Sequence, residues 1–126
     1  MEKILIVDDS PTARMFIRRC LEIAGFKDAV FIEAADGLDA LGKMKTEKVD
    51  ILFSDLTMPQ MDGFALLGAV KSDPLLHKTL VFIISSAGNP ATVKKLLEAG
   101  ATAVLKKPVS PSVLLPIFKC VAYNKK

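Results

Sequence analysis

Short, wholly apolar runs alternate along the chain with longer segments in which apolar residues recur every three or four positions. Lys3-Ile4-Leu5-Ile6-Val7 is apolar and β-branched, the pattern of a parallel strand covered on both faces. It stops at Asp8-Asp9-Ser10-Pro11, where Ser10 suits an N-cap and Pro11 the first helical position. Beyond it Ala13, Phe16, Ile17, Cys20, Leu21 and Ala24 form one helical stripe that Gly25 closes. The alternation recurs four times. The pattern predicts strands near 29–33, 50–54, 80–85 and 102–105, followed by helices around 38–45, 64–71, 91–98 and from about 112.

Five strand-helix units imply an α/β fold: a doubly wound, five-stranded parallel sheet with helices on both faces, a three-layer αβα sandwich. No linker or composition break divides the chain, so residues 1–126 read as a single domain. Function is expected at the carboxyl ends of the strands. The last helix carries an irregularity in Pro116, which should kink it or delay its start. Its apolar residues go nearly all the way round, which fits either a protein interface or simple burial.

Composition narrows the class. The chain has 126 residues, 51% of them hydrophobic and 25% charged, enough for one core and too balanced for disorder or low complexity. Its apolar runs are far shorter than the roughly 20 residues that cross a bilayer, and Asp8 and Asp9 interrupt the place where a signal peptide would continue. Membrane insertion and secretion are therefore not expected, and a cytoplasmic location is. Cys20 and Cys120 lie in apolar helical patterns without metal-ligand spacing, as befits two reduced thiols. Lys and Arg total 17 against 14 Asp and Glu, and they fall as scattered pairs, Lys125-Lys126 among them. Nothing in that distribution suggests nucleic-acid binding.

The strand ends carry the chemistry. Asp8 and Asp9 follow the first strand, Asp55 the third, Ser85 and Ser86 the fourth and Lys107 the fifth. Carboxylates gathered at one sheet edge repel each other unless a hard divalent cation lies among them, which makes Mg²⁺ the expected cofactor. Asp55 could then attack a phosphorus atom to give an aspartyl phosphate. Lys107 would offset the phosphoryl charge and Ser85 would donate a hydrogen bond to it.

Six stretches carry a resemblance: Ile4-Leu5-Ile6-Val7-Asp8-Asp9-Ser10, Ala34-Ala35-Asp36-Gly37, Asp55-Leu56-Thr57-Met58-Pro59-Gln60-Met61-Asp62-Gly63, Ile84-Ser85-Ser86, Glu98-Ala99-Gly100-Ala101 and Lys106-Lys107-Pro108. With these, in order over nearly the whole chain, the sequence resembles the response regulator receiver domains of two-component systems. It is most similar to the single-domain, CheY-like chemotaxis type. The resemblance implies a flavodoxin-like receiver fold and phosphorylation of Asp55 by the phosphohistidine of a sensor histidine kinase or histidine phosphotransfer protein. It implies a Mg²⁺ site in which Asp9 and Asp55 ligate directly, Thr57 adds its backbone carbonyl and Asp8 acts through water. It also implies Lys107 at the phosphoryl group ahead of a cis bond to Pro108, and Ser85 as the switch hydroxyl. The domain would switch rather than turn over substrate, catalysing only its own phosphorylation and dephosphorylation. Movement of 87–90 and Val104 is expected to alter a surface of residues 91–100, 102–105 and 112–123 that binds a downstream target or a second copy.

Val104 stands where many receivers carry a switch aromatic, so a tyrosine rotamer switch cannot operate and a flagellar-motor output is less secure than the phosphoacceptor role. Ala87 and Thr57 occupy positions that tune phosphoryl lifetime, with a small Ala87 leaving the group open to water. His77 reads as a loop residue, Asp62 as a helix start, Met58-Pro59 as loop-shaping, and Ser86 and Lys106 as pointing away from the site. Two other readings compete: a constitutive, unphosphorylated interaction module of the same fold, and a Mg²⁺-dependent phosphohydrolase with an aspartate nucleophile. The hydrolase would want an acid two residues beyond Asp55, where Thr57 stands. Nucleotide-binding glycine motifs are absent from the sequence.

Overall fold

The structure is a computed structural model that describes residues 2–86 and 89–124. Its elements alternate strictly: β1 (Lys3–Val7), α1 (Pro11–Ala24), β2 (Val30–Ala34), α2 (Gly37–Thr46), β3 (Ile51–Asp55), α3 (Gly63–Ser72), β4 (Leu80–Ser85), α4 (Pro90–Glu98), β5 (Ala103–Lys106) and α5 (Pro111–Asn124). The strands pair in parallel in the order β2-β1-β3-β4-β5. The winding thus reverses between β1 and β3, and the crevice at such a switch point lies beyond the carboxyl ends of those two strands.

The central strands β1, β3 and β4 bury both faces, as their apolar runs require, while the edge strands β2 and β5 are only partly covered. Ile4 and Ile6 join Ile17, Leu21, Phe53, Phe82 and Leu114 under α1 and α5. Leu5 and Val7 point the other way, into a core with Met44, Leu66, Leu67 and Leu96 from α2, α3 and α4. All four β1 residues are fully buried. Helix starts are fixed by side-chain caps that take up otherwise unpaired N–H groups. Ser10 accepts from Ala13, Asp36 from Asp39, Asp62 from Ala65 and Asn89 from Ala91.

The elements fall within a residue or two of their sequence-predicted positions, with two informative differences. Asp55 is the last residue of β3, paired in register with Ile84, rather than the first beyond it. Ser85 closes β4, as the predicted 80–85 strand has it. Pro116 does not delay α5, which starts at Pro111 and runs through it. Pro116 and Ser112, whose carbonyl loses its helical partner, are both exposed, so water can satisfy that oxygen. Helix α5 is buried on one side only: Leu114 is buried and Ile117, Phe118 and Val121 pack on the α1 side, while Val113, Leu115 and Tyr123 are exposed. Both cysteines are free thiols, Cys20 buried and Cys120 exposed, and burial pushes the Cys20 thiol up from its ordinary value. Among the described residues no helix is long and apolar enough to cross a membrane.

Candidate functional site

Asp8 leaves β1 with almost every polar atom held. Its N–H donates to Ala34 O at 3.1 Å, and its Oδ1 accepts from the Ser10 N–H at 2.9 Å. Its carbonyl accepts from Arg14 Nη1 at 2.6 Å. The residue is 1% exposed, yet Oδ2 has no hydrogen-bond partner among the described residues. Its cationic neighbour is Lys107 Nζ, 3.8 Å away. Burial pushes the Asp8 carboxyl above its usual range; the Ser10 N–H and Lys107 oppose the rise and the Asp55 carboxylate adds to it.

Asp55 is also buried, and its Oδ1 lies 3.1 Å from Lys107 Nζ. The chain beyond it is clamped. The Leu56 N–H donates to Ile84 O, and the Gly63 N–H donates back to Leu56 O at 2.8 Å. A Cβ at Gly63 would collide with Asp55 O, and one at Gly37 would meet Met61 O at 2.7 Å, so both helices approach this loop more closely than any larger residue allows. Met58 is buried in the α2–α4 core and Asp62 caps α3, the loop-shaping parts expected of them. Thr57 is exposed in the bend two residues past Asp55.

Lys107 follows β5 directly, its N–H bonded to Ser85 O at 2.9 Å. The Lys107–Pro108 bond is cis, as the resemblance implied. Ser85 is buried at the end of β4, whereas Ser86 and Lys106 are exposed. His77 is exposed in the loop before β4. Val104 is partly buried against the α2–α4 core. The expectations attached to Ala87, to movement of 87–88 and to Lys125-Lys126 lie outside the described residues.

Asp8, Asp9 and Asp55 each offer a carboxylate oxygen, all within 4.8 Å of one another. Asp9 is exposed and the other two are buried. Two buried carboxylates and a third at the rim, one oxygen without a hydrogen bond among the described residues, form a donor set suited to a hard, oxygen-seeking divalent cation. A metal ion fits these residues.

Arg14 and Glu33 were missed by sequence reasoning. The Arg14 side chain folds back over the end of β1, with Nε 2.8 Å from Glu33 Oε1. The signal was the position of Arg14 in the first turns of α1, from which a long side chain reaches the strand end preceding the helix.

Comparison with known proteins agrees with this geometry. The response regulator receiver domain family matches residues 4–119. A probable chemotaxis protein CheY of Rhizobium etli is 36% identical over 106 residues, 84% of this chain and 81% of its own length. Chemotaxis protein CheY1 of Helicobacter pylori is 34% identical over 113 residues, 89% of this chain and 90% of its own. The solved structure of the chemotaxis response regulator CheY4 of Vibrio cholerae superposes with a TM-score of 0.83 at 33% identity, covering 96% of this chain and 98% of that one. The chain belongs to the response regulator receiver family and is CheY-like.

Proposed function

We propose that the protein is the phosphoacceptor of a two-component system, taking a phosphoryl group from a histidine kinase or histidine phosphotransfer protein onto Asp55. The observation that carries this reading is Asp55 held 3.1 Å from the Lys107 ammonium, within a cluster of three carboxylates. An Asp55 carboxylate oxygen attacks phosphorus, the phosphorus–nitrogen bond of the phosphohistidine breaks, and the imidazole leaves with the bonding pair and takes up a proton. Asp8, Asp9, Asp55 and the Thr57 carbonyl are the proposed holders of Mg²⁺, which supplies positive charge beside the transferred group when bound. Lys107 releases the Asp55 carboxylate and pairs with a phosphoryl oxygen. The Ser85 hydroxyl donates to another, drawing the end of β4 toward Asp55.

That local change biases a two-state surface. Helices α4 and α5 leave Leu97, Val113, Leu115 and Tyr123 exposed, which supports these helices as the docking site of a downstream target or a second copy. The domain spans 1–126, works in the cytoplasm and turns over no substrate other than its own phosphoryl group. Chemotaxis is the signalling context that the named relatives support.

The test is intact mass after incubation with acetyl phosphate or phosphoramidate, with and without Mg²⁺. A labile, Mg²⁺-dependent gain of about 80 Da, absent from Asp55→Asn, is expected for an aspartyl phosphate. No adduct, together with no spectral change on adding beryllofluoride, would replace this reading with a constitutive interaction module.

A further inference from the structure

We propose that Arg14, itself held by Glu33, is the positioning residue that aims the Asp8 carboxylate. The inference rests on the reading of the carboxylate cluster as a divalent-cation site.

Three bonds fix Asp8, and two of them come by way of β2. The parallel register sets Val7 beside Ala34 and Ile6 beside Glu33. Ile6 faces α1, so Glu33 projects to the same side of the sheet and meets Arg14 there. Ala34 O takes the Asp8 N–H, and the Glu33-bound guanidinium takes the Asp8 carbonyl. With both peptide groups of Asp8 tied and Oδ1 held by the Ser10 N–H, the free rotation that would carry Oδ2 away from Asp55 and Lys107 is removed.

The pair also answers an electrostatic requirement. A lone guanidinium at the edge of a cation site would repel the incoming ion. Glu33 offsets that charge at 2.8 Å while leaving Nη1 to donate to the carbonyl. The planar fork of arginine permits both bonds at once, and the single ammonium of lysine does not reproduce that geometry. Groups that orient metal ligands in this way commonly change metal affinity about 10- to 100-fold when removed.

The experiment is a Mg²⁺ titration of the unphosphorylated protein followed by backbone amide NMR shifts, paired with thermal unfolding in metal-free buffer. Arg14→Ala is expected to weaken Mg²⁺ binding about 10-fold, Arg14→Lys to recover part of that loss, and Glu33→Gln to weaken binding through the unbalanced guanidinium. Arg18→Ala removes a cation from the same helix, where it lies over the Phe31 ring, and is expected to leave Mg²⁺ affinity unchanged. If Arg14→Ala lowers the unfolding temperature but binds Mg²⁺ as the wild type does, Arg14 is only structural and the proposal is overturned. Wild-type protein that binds no Mg²⁺ would instead overturn the reading of the cluster itself.

Discussion

The two ends of the sheet are built from the same kinds of residue and reach opposite outcomes. At the amino ends of the strands, Asp50 accepts the Lys3 N–H at 2.9 Å and Lys3 Nζ pairs with Glu47 at 2.9 Å. The buried Thr79 hydroxyl donates to Val49 O at 2.9 Å. Lys71 Nζ ties His77 O and Thr79 O together, and burial lowers its pKa from the ordinary value. Polar groups there end in protein partners, although the hollow of about 440 Å³ between 45–50 and 73–79 is roomy. At the carboxyl ends, beside a cleft of about 150 Å³, three carboxylates crowd together and Asp8 Oδ2 has no hydrogen bond among the described residues. Cavity size therefore does not mark the chemistry. What marks it is a buried polar atom that the fold declines to satisfy, since such an atom costs stability until a ligand arrives.

Substitutions at each end sharpen the contrast. Gly63→Ala is expected to have the largest effect, about 3 kcal/mol of lost stability by denaturant unfolding, because its Cβ collides with the Asp55 backbone oxygen. Mg²⁺ affinity should fall with it. Thr79→Val removes a buried donor at the amino end and should cost about 1–2 kcal/mol, with Mg²⁺ affinity and phosphoryl uptake unchanged. If it altered either, the two ends would not be separable. Lys3→Ala breaks a half-exposed ion pair and should cost less than about 0.5 kcal/mol, a difference visible only in careful thermal melts.

Much of this contrast could be seen in the chain. Strand runs too short and too apolar for anything but a covered parallel sheet pointed to the architecture, and acids placed where those runs stop marked the candidate edge. Asp8, Asp9, Asp55, Ser85 and Lys107 are all found there. Less visible was how they are held. Arg14 and Glu33 meet only because the β1–β2 register places Glu33 on the α1 side, and register is a pairing between distant segments that no local pattern contains. Where α5 starts was hidden for a related reason: the cost of Pro116 inside a helix depends on whether the freed carbonyl meets water, which tertiary packing decides.

Asp8 tests the account most directly. Burial disfavours its charged form, so the stability linked to this carboxyl is full below its ordinary value of 3.8 and is lost as pH rises through its raised native value. Asp8→Asn should therefore stabilise the metal-free protein by about 1 kcal/mol at neutral pH, with the advantage disappearing in acid. The decisive measurement is the unfolding temperature of wild type and Asp8→Asn at pH 7, each with and without saturating Mg²⁺. Asp8→Asn is expected to melt higher without metal, and wild type to gain much more on adding Mg²⁺. An Asp8→Asn protein no more stable than wild type without metal, and raised equally by Mg²⁺, would contradict it.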